Sequence, residues 1–303
     1  MAANRILTLC LDAEALTRHR AGQHNFFARL TATLEGRGWQ VRAVESTQQA
    51  RAEAPLWPGY TLFHMEEPTH ARALTCRRAP IGAFWRIEAT GRRWDWPVAR
   101  ACFDAAAIPP GPARRFAEGW RRRLFGTPAV PPPGRGILMP LQGRLTEHRS
   151  FQSMSPLAMA RAVLARHPDE AVLATLHPNE RYTPDDHAAL AALTRDHPKL
   201  TVQMGGSDAA LPGCRRVVTQ NSSVAFSGYL LHRPALLFAE IDFHHIAASV
   251  PRDGLEAALD AAPAPDFDAY LFWFLRYQAL NAFAPDTEAQ IVAALARHGW
   301  PVD

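Results

Sequence analysis

The run Thr219-Gln220-Asn221-Ser222-Ser223 follows the β-branched pair Val217-Val218 and precedes apolar residues at roughly helical spacing, Val224, Phe226, Leu230 and Leu231. A strand that ends in small polar residues and opens a helix presents free backbone N–H groups at the positive end of a helix dipole, a setting that suits a phosphate or a carboxylate. Asn221 or Ser222 is the expected N-cap. Capping alone would account for the same residues. Two more polar clusters follow apolar runs, however: Gln142 with Glu147 and His148 behind it, and His177-Pro178-Asn179-Glu180. An imidazole after an apolar strand can donate to an anion, although it can equally satisfy a local backbone group. Glu147, read without its neighbours, is an exposed loop acid.

These clusters need a scaffold that brings strand ends together. Apolar periodicity predicts strands at 136–141, 171–176, 200–204, 216–219 and 235–238, with helices at 156–166 and 185–195 and a further helix after Ser223. That alternation predicts an open, mostly parallel sheet flanked by helices, in which ligands bind beyond the carboxyl ends of the strands. The first half reads similarly: strands at 5–10, 40–44, 60–65 and 81–87, and a helix at 25–37 closed by Gly36 or Gly38. Between the halves, the proline-rich segment 126–134 can be neither helix nor central strand and is expected to be a stiff linker. The expected fold is therefore α/β with two Rossmann-like, GT-B-like domains: 1–126, a linker at 127–135, 136–266, and C-terminal helices in 267–303. A cleft is expected between the two.

Composition fits that plan. A chain of 303 residues with 48% hydrophobic and 20% charged residues is that of an ordinary globular protein with room for two domains of about 150 residues. The four cysteines, Cys10, Cys76, Cys102 and Cys214, have no CxxC spacing, so neither a disulfide framework nor a zinc site is expected. The first apolar run is far shorter than the ~20 residues of a membrane span, and no cleavage site follows a basic start. A cytoplasmic protein is expected. The net charge of +4 is uneven, with 19 basic and 11 acidic residues in 1–134 against 14 and 18 in 135–303. Charge alone names no partner.

Across about 136–245, the order Pro140-Leu141-Gln142, His177-Pro178 and Thr219-Gln220-Asn221-Ser222-Ser223, followed by Ala239-Glu240-Ile241-Asp242-Phe243-His244, resembles the capsule polysaccharide biosynthesis glycosyltransferases, the group of the retaining β-Kdo transferases. The resemblance implies a nucleotide-activated acidic sugar donor, CMP-Kdo above all, with the nucleotide on the second domain and a glycan or glycolipid acceptor on the first. It implies no metal and no further cofactor. Gln142, Asn221, Ser222 and Ser223 would then bind the donor, and His177 and Glu147 would be catalytic, through positioning, stabilisation of the departing phosphate and a carboxylate near the anomeric carbon. The chain departs from the family at this carboxylate, because Gln142 is followed by Gly-Arg-Leu-Thr and the first acid is Glu147. Two rival functions remain: another GT-B sugar-nucleotide enzyme, such as a UDP-sugar transferase or epimerase, and a degenerate protein that binds polysaccharide or a biosynthetic partner without catalysis.

Other residues carry weaker signals. His64, Glu66 and Glu67, or Arg86 and Glu88, are candidates for acceptor contacts. His244 and His245 are adjacent and point apart, which argues against a shared metal. Residues 114–124 space Phe116, Trp120 and Leu124 at i, i+4 and i+8 among arginines. Such a helix would suit a peripheral contact of Arg121, Arg122 and Arg123 with an anionic membrane at the inner face, or would pack its aromatic side on the core. No nucleic-acid motif accompanies these arginines, so no nucleic-acid partner is expected.

Overall fold

The computed structural model describes residues 5–302. Its strands are β1 Ile6–Leu11, β2 Gln40–Glu45, β3 Tyr60–His64, β4 Ala73–Arg78, β5 Phe84–Glu88, β6 Ile137–Leu141, β7 Val172–Leu176, β8 Leu200–Met204, β9 Arg216–Thr219, β10 Ala235–Leu237, β11 Ala248–Ser249 and β12 Leu280–Asn281. They form two six-stranded sheets, and the fold is α/β with two Rossmann-like, GT-B-like halves. Compactness divides the chain into one unit that runs to Trp96 and resumes at Leu275, and a second unit, Pro97–Phe274.

The second unit has strand order β8-β7-β6-β9-β10-β11, all parallel. Its central strands β6 and β9 are buried along their whole length, as parallel strands covered by helices on both faces must be. Three of the covering helices start on a side-chain cap: Ser155 for Pro156–Arg166, a reciprocal Thr183/Asp186 box for Pro184–Asp196, and Ser222 for Ser223–Leu230. Pro140 interrupts the central strand β6, and without an N–H it cannot feed a ladder. The β6–β9 pairing accordingly stops at Leu138↔Val217, while β6–β7 continues to Leu141↔Leu176. The Thr219 hydroxyl spans the opening by donating to the Pro140 carbonyl at 2.7 Å. The sheet is thus parted where its strand order reverses.

The first unit has order β2-β1-β3-β4-β5-β12, its first four strands parallel and the last two antiparallel to their neighbours. Strand β4 escapes a reading of apolar periodicity, since its buried Ala73–Cys76 stretch runs straight into Arg77 and Arg78. Leu280, Ala282, Ile291, Leu295, Trp300 and Val302 share a core with Leu7, Leu9, Phe27 and Leu34. The helix Thr287–Arg297 therefore belongs to the first unit, whereas the helix Phe267–Phe272 belongs to the second. The expected single group of C-terminal helices is divided between them.

The proline-rich segment lies within the second unit because two buried arginines hold it there. Arg233 donates to the carbonyls of Pro131 (3.2 Å), Pro132 (2.9 Å) and Pro212 (2.9 Å). Arg121 donates through Nε to Pro128 (2.8 Å) and through Nη1 to the Leu230 carbonyl (3.2 Å), and it pairs with Asp268 at 2.9 Å. This corrects the expectation that Arg121 meets a membrane: its side chain is only 3% exposed. A guanidinium committed to two carbonyls and a carboxylate cannot also reach a headgroup. Phe116 packs edge-on against Phe272 at 5.5 Å, so the aromatic side of the helix Pro110–Phe125 faces its own unit. Arg122 and Arg123 are exposed. No helix among the described residues is long and apolar enough to cross a membrane.

Candidate functional site

A cavity of about 590 Å³ lies in the second unit at the carboxyl ends of β6, β7 and β8 and the helix that follows β9. It is lined by Gln142, His177, Ser222 and Ser223, which brings together four of the six residues singled out from sequence. This is the crevice expected at the switch point of a doubly wound sheet.

His177 is oriented by its own loop. Its Nδ1 accepts from the Asn179 N–H at 3.2 Å and its backbone N–H donates to the Tyr182 hydroxyl at 2.8 Å. With Nδ1 used as an acceptor, the neutral ring carries its proton on Nε2, a donor for an anionic oxygen. Ser222 caps the helix by accepting from the Val224 N–H at 3.3 Å. Ser222, Ser223 and Val224, at the positive end of the dipole of Ser223–Leu230, line the same cavity. The Gln142 Oε1 is buried with no hydrogen-bond partner among the described residues, an acceptor left for a ligand or for water.

Two predicted residues lie outside the lining. Asn221 precedes the cap and is half-buried. The Glu147 side chain is 56% exposed and pairs with Arg144 at 3.3 Å, in a loop where Arg144 takes φ +60°. That loop is pinned nearby by the fully buried Leu145, whose N–H donates to Asp186 at 3.1 Å.

Sequence reasoning missed the segment Gly205-Gly206-Ser207-Asp208, which closes the cavity after β8. Gly205 and Gly206 both have positive φ, at 66° and 79°, and turn the chain sharply at the strand end. Ser207 is held by Thr175 through a 2.8 Å hydroxyl pair. Asp208 is the sole carboxylate among the lining residues. Its signal was available: two glycines and two small polar residues directly behind an apolar strand.

Another cavity, about 670 Å³, lies in the first unit between β5, residues 276–280 and the helix Thr287–Arg297. Its buried Glu88 is matched by Arg297 at 3.6 Å and His298 at 3.8 Å. Among the described residues no group of three or more histidines, cysteines or acids could hold a metal. His244 and His245 instead contact the carbonyls of Ala99 and Val98, each at 3.0 Å.

No protein-family model matches the chain, and no curated protein sequence does. Solved structures do. The β-Kdo 2,7 transferase of KpsC from Thermosulfurimonas dismutans superposes with a TM-score of 0.51 at 12% identity, over 88% of each chain. The β-Kdo 2,4 transferase of the same protein gives 0.47 at 12% identity, over 88% of this chain and 89% of that one. A UDP-GlcNAc 2-epimerase from Neisseria meningitidis gives 0.39 at 9% identity, over 96% and 99%. At such identities the likeness is one of fold.

Proposed function

We propose that this chain is a GT-B-type glycosyltransferase of capsule or related surface polysaccharide synthesis that takes a nucleotide-activated acidic sugar, with CMP-Kdo the leading donor. The observation that carries the reading is the cavity of the second unit, where the His177 Nε2–H and the N-terminus of Ser223–Leu230 converge on one volume sized for a nucleotide. The donor's phosphate sits at the helix terminus with Ser222 and Ser223, His177 donates to the phosphate or the sugar carboxylate, and Gln142 accepts from a donor N–H or O–H. Charge then builds on the leaving phosphate against preorganised donors. Asp208 is the carboxylate best placed to face the sugar, and Glu147 serves only if its loop folds inward. The fold shared with a β-Kdo transferase supports the class of donor.

A thermal-shift titration with CMP, UDP, GDP and ADP tests this. CMP should raise the midpoint selectively, and His177→Ala should abolish the rise. Stronger stabilisation by UDP would replace the donor with a UDP-sugar. No shift with any nucleotide would overturn the transferase reading in favour of a non-catalytic protein that binds polysaccharide or a biosynthetic partner.

A further inference from the structure

Strand β12 pairs with β5 only at Phe84 and Trp85, so from Arg86 onward the outer edge of β5 has no strand neighbour among the described residues. That stretch lines the first-unit cavity of about 670 Å³. An open edge leaves backbone groups to be satisfied by side chains. Here the Ile87 carbonyl accepts from Arg297 at 3.3 Å and from His298 Nε2 at 3.1 Å, and Arg86 donates to the Gln278 carbonyl. Those ties fix the helix Thr287–Arg297 and residues 276–279 as the other walls, and the whole lining belongs to the first unit.

Arg86 and Glu88, two residues apart and therefore on one face of β5, are 4% and 5% exposed, so buried charge of both signs lines the cavity. Arg276 and Tyr277 line it too, as the last residues of the π-helical turn Trp273–Tyr277, a rare geometry that is frequent at functional sites. Tyr277 is 54% exposed, whereas Trp85 is buried and stacked on Phe26. Arg276 is exposed, and no hydrogen bond or ion pair occupies its guanidinium among the described residues. Asp286, on the same cavity, is held by the Gln290 side chain.

Three arginines and two acids line the volume, Arg86, Arg276 and Arg297 against Glu88 and Asp286, a formal balance of +1. A single carboxylate neutralises that balance, whereas a phosphate dianion would overshoot it and meet both acids. Donors and acceptors side by side in a cavity of this size suit neighbouring hydroxyls, with the Tyr277 ring against the apolar face of a pyranose. We propose that this cavity binds an acidic saccharide unit: Arg276 takes its carboxylate, Asp286 accepts from a hydroxyl, and Glu88 holds Arg297 in place as a second donor. The site stands apart from the transferase reading and needs no group of the second unit.

The test is a ligand-observed NMR titration of the full chain with three probes. Methyl β-D-glucuronide has the carboxylate and the hydroxyls, methyl β-D-glucoside lacks the carboxylate, and acetate lacks the ring. The wild type should bind the glucuronide about 10-fold or more tighter than either of the others. Arg276→Ala should erase the preference for glucuronide over glucoside, and Tyr277→Ala should weaken both glycosides alike. Ala293→Trp, at an exposed position of the lining, should block the glucuronide by filling the cavity. Equal affinity for the two glycosides, a preference that survives Arg276→Ala, or binding untouched by Ala293→Trp overturns the proposal. Acetate bound as tightly as the glucuronide reduces the cavity to a simple anion site and overturns the saccharide assignment. No binding of the glucuronide by the wild type overturns it outright, whatever CMP does at the other cavity.

Discussion

Replacing Arg121 with methionine keeps the apolar stem but removes the guanidinium from a nearly closed environment. The Asp268 carboxylate, 17% exposed, is left with His232 at 2.9 Å, and the Pro128 and Leu230 carbonyls lose the Arg121 donor. Breaking one side of a buried pair costs about 3–5 kcal/mol, because the remaining charge stays desolvated. Arg121→Met should therefore lose that amount in urea unfolding at pH 7, fitted with as many transitions as the two units require. Arg122→Met and Arg123→Met, on exposed residues, should stay within about 0.5 kcal/mol of wild type. Adding Asp268→Asn to Arg121→Met should cost about 1–3 kcal/mol less than the two single losses combined. Burial opposes the Asp268 charge, but His232 and Arg121 hold its pKa below the ordinary aspartate value. Its contribution is thus complete above about pH 4 and is lost as the pH falls through the lowered value, so the gap between wild type and Arg121→Met should narrow in acid. A loss at pH 7 under about 1 kcal/mol, or a gap that widens in acid, would refute the account of Arg121 as a strut.

Ser222→Ala should lose the N-cap, lowering stability by about 0.5–2 kcal/mol in chemical denaturation and weakening any nucleotide-induced thermal shift as well. Gly134→Ala places a Cβ against the Gly213 carbonyl, backbone on backbone, and should cost about 1–3 kcal/mol by the same measurement, since neither chain can yield as a flexible side chain would. His24 and His245 are pushed down to about 4 by burial first, with neighbouring histidines adding to the fall. Each is neutral in the fold and takes up a proton on unfolding, so stability should fall as the pH is lowered from about 6.5 toward 4. His24→Asn, which keeps an acceptor for the Phe27 N–H, should flatten that decline in a pH series of melting midpoints.

Local chemistry carried much of the second unit into plain view. The helix Pro156–Arg166 and the strands Leu200–Met204 and Arg216–Thr219 have their expected bounds, because apolar period, caps and glycines act over a few residues. The rule that ligands sit at strand ends then sufficed to gather Gln142, His177, Ser222 and Ser223 at one cavity. What sequence alone does not decide is which distant groups satisfy a buried charge or complete a sheet. Arg121 looked like a surface arginine until Asp268, 147 residues away, closed on it, and the proline run became part of the second unit because Arg233 collects its carbonyls. Asp12 and His64, 52 residues apart, meet only because β1 and β3 are neighbours in the sheet. Periodicity is written within each segment, whereas burial, pairing and proton ownership depend on contacts between segments, and those exist only once the tertiary structure has formed.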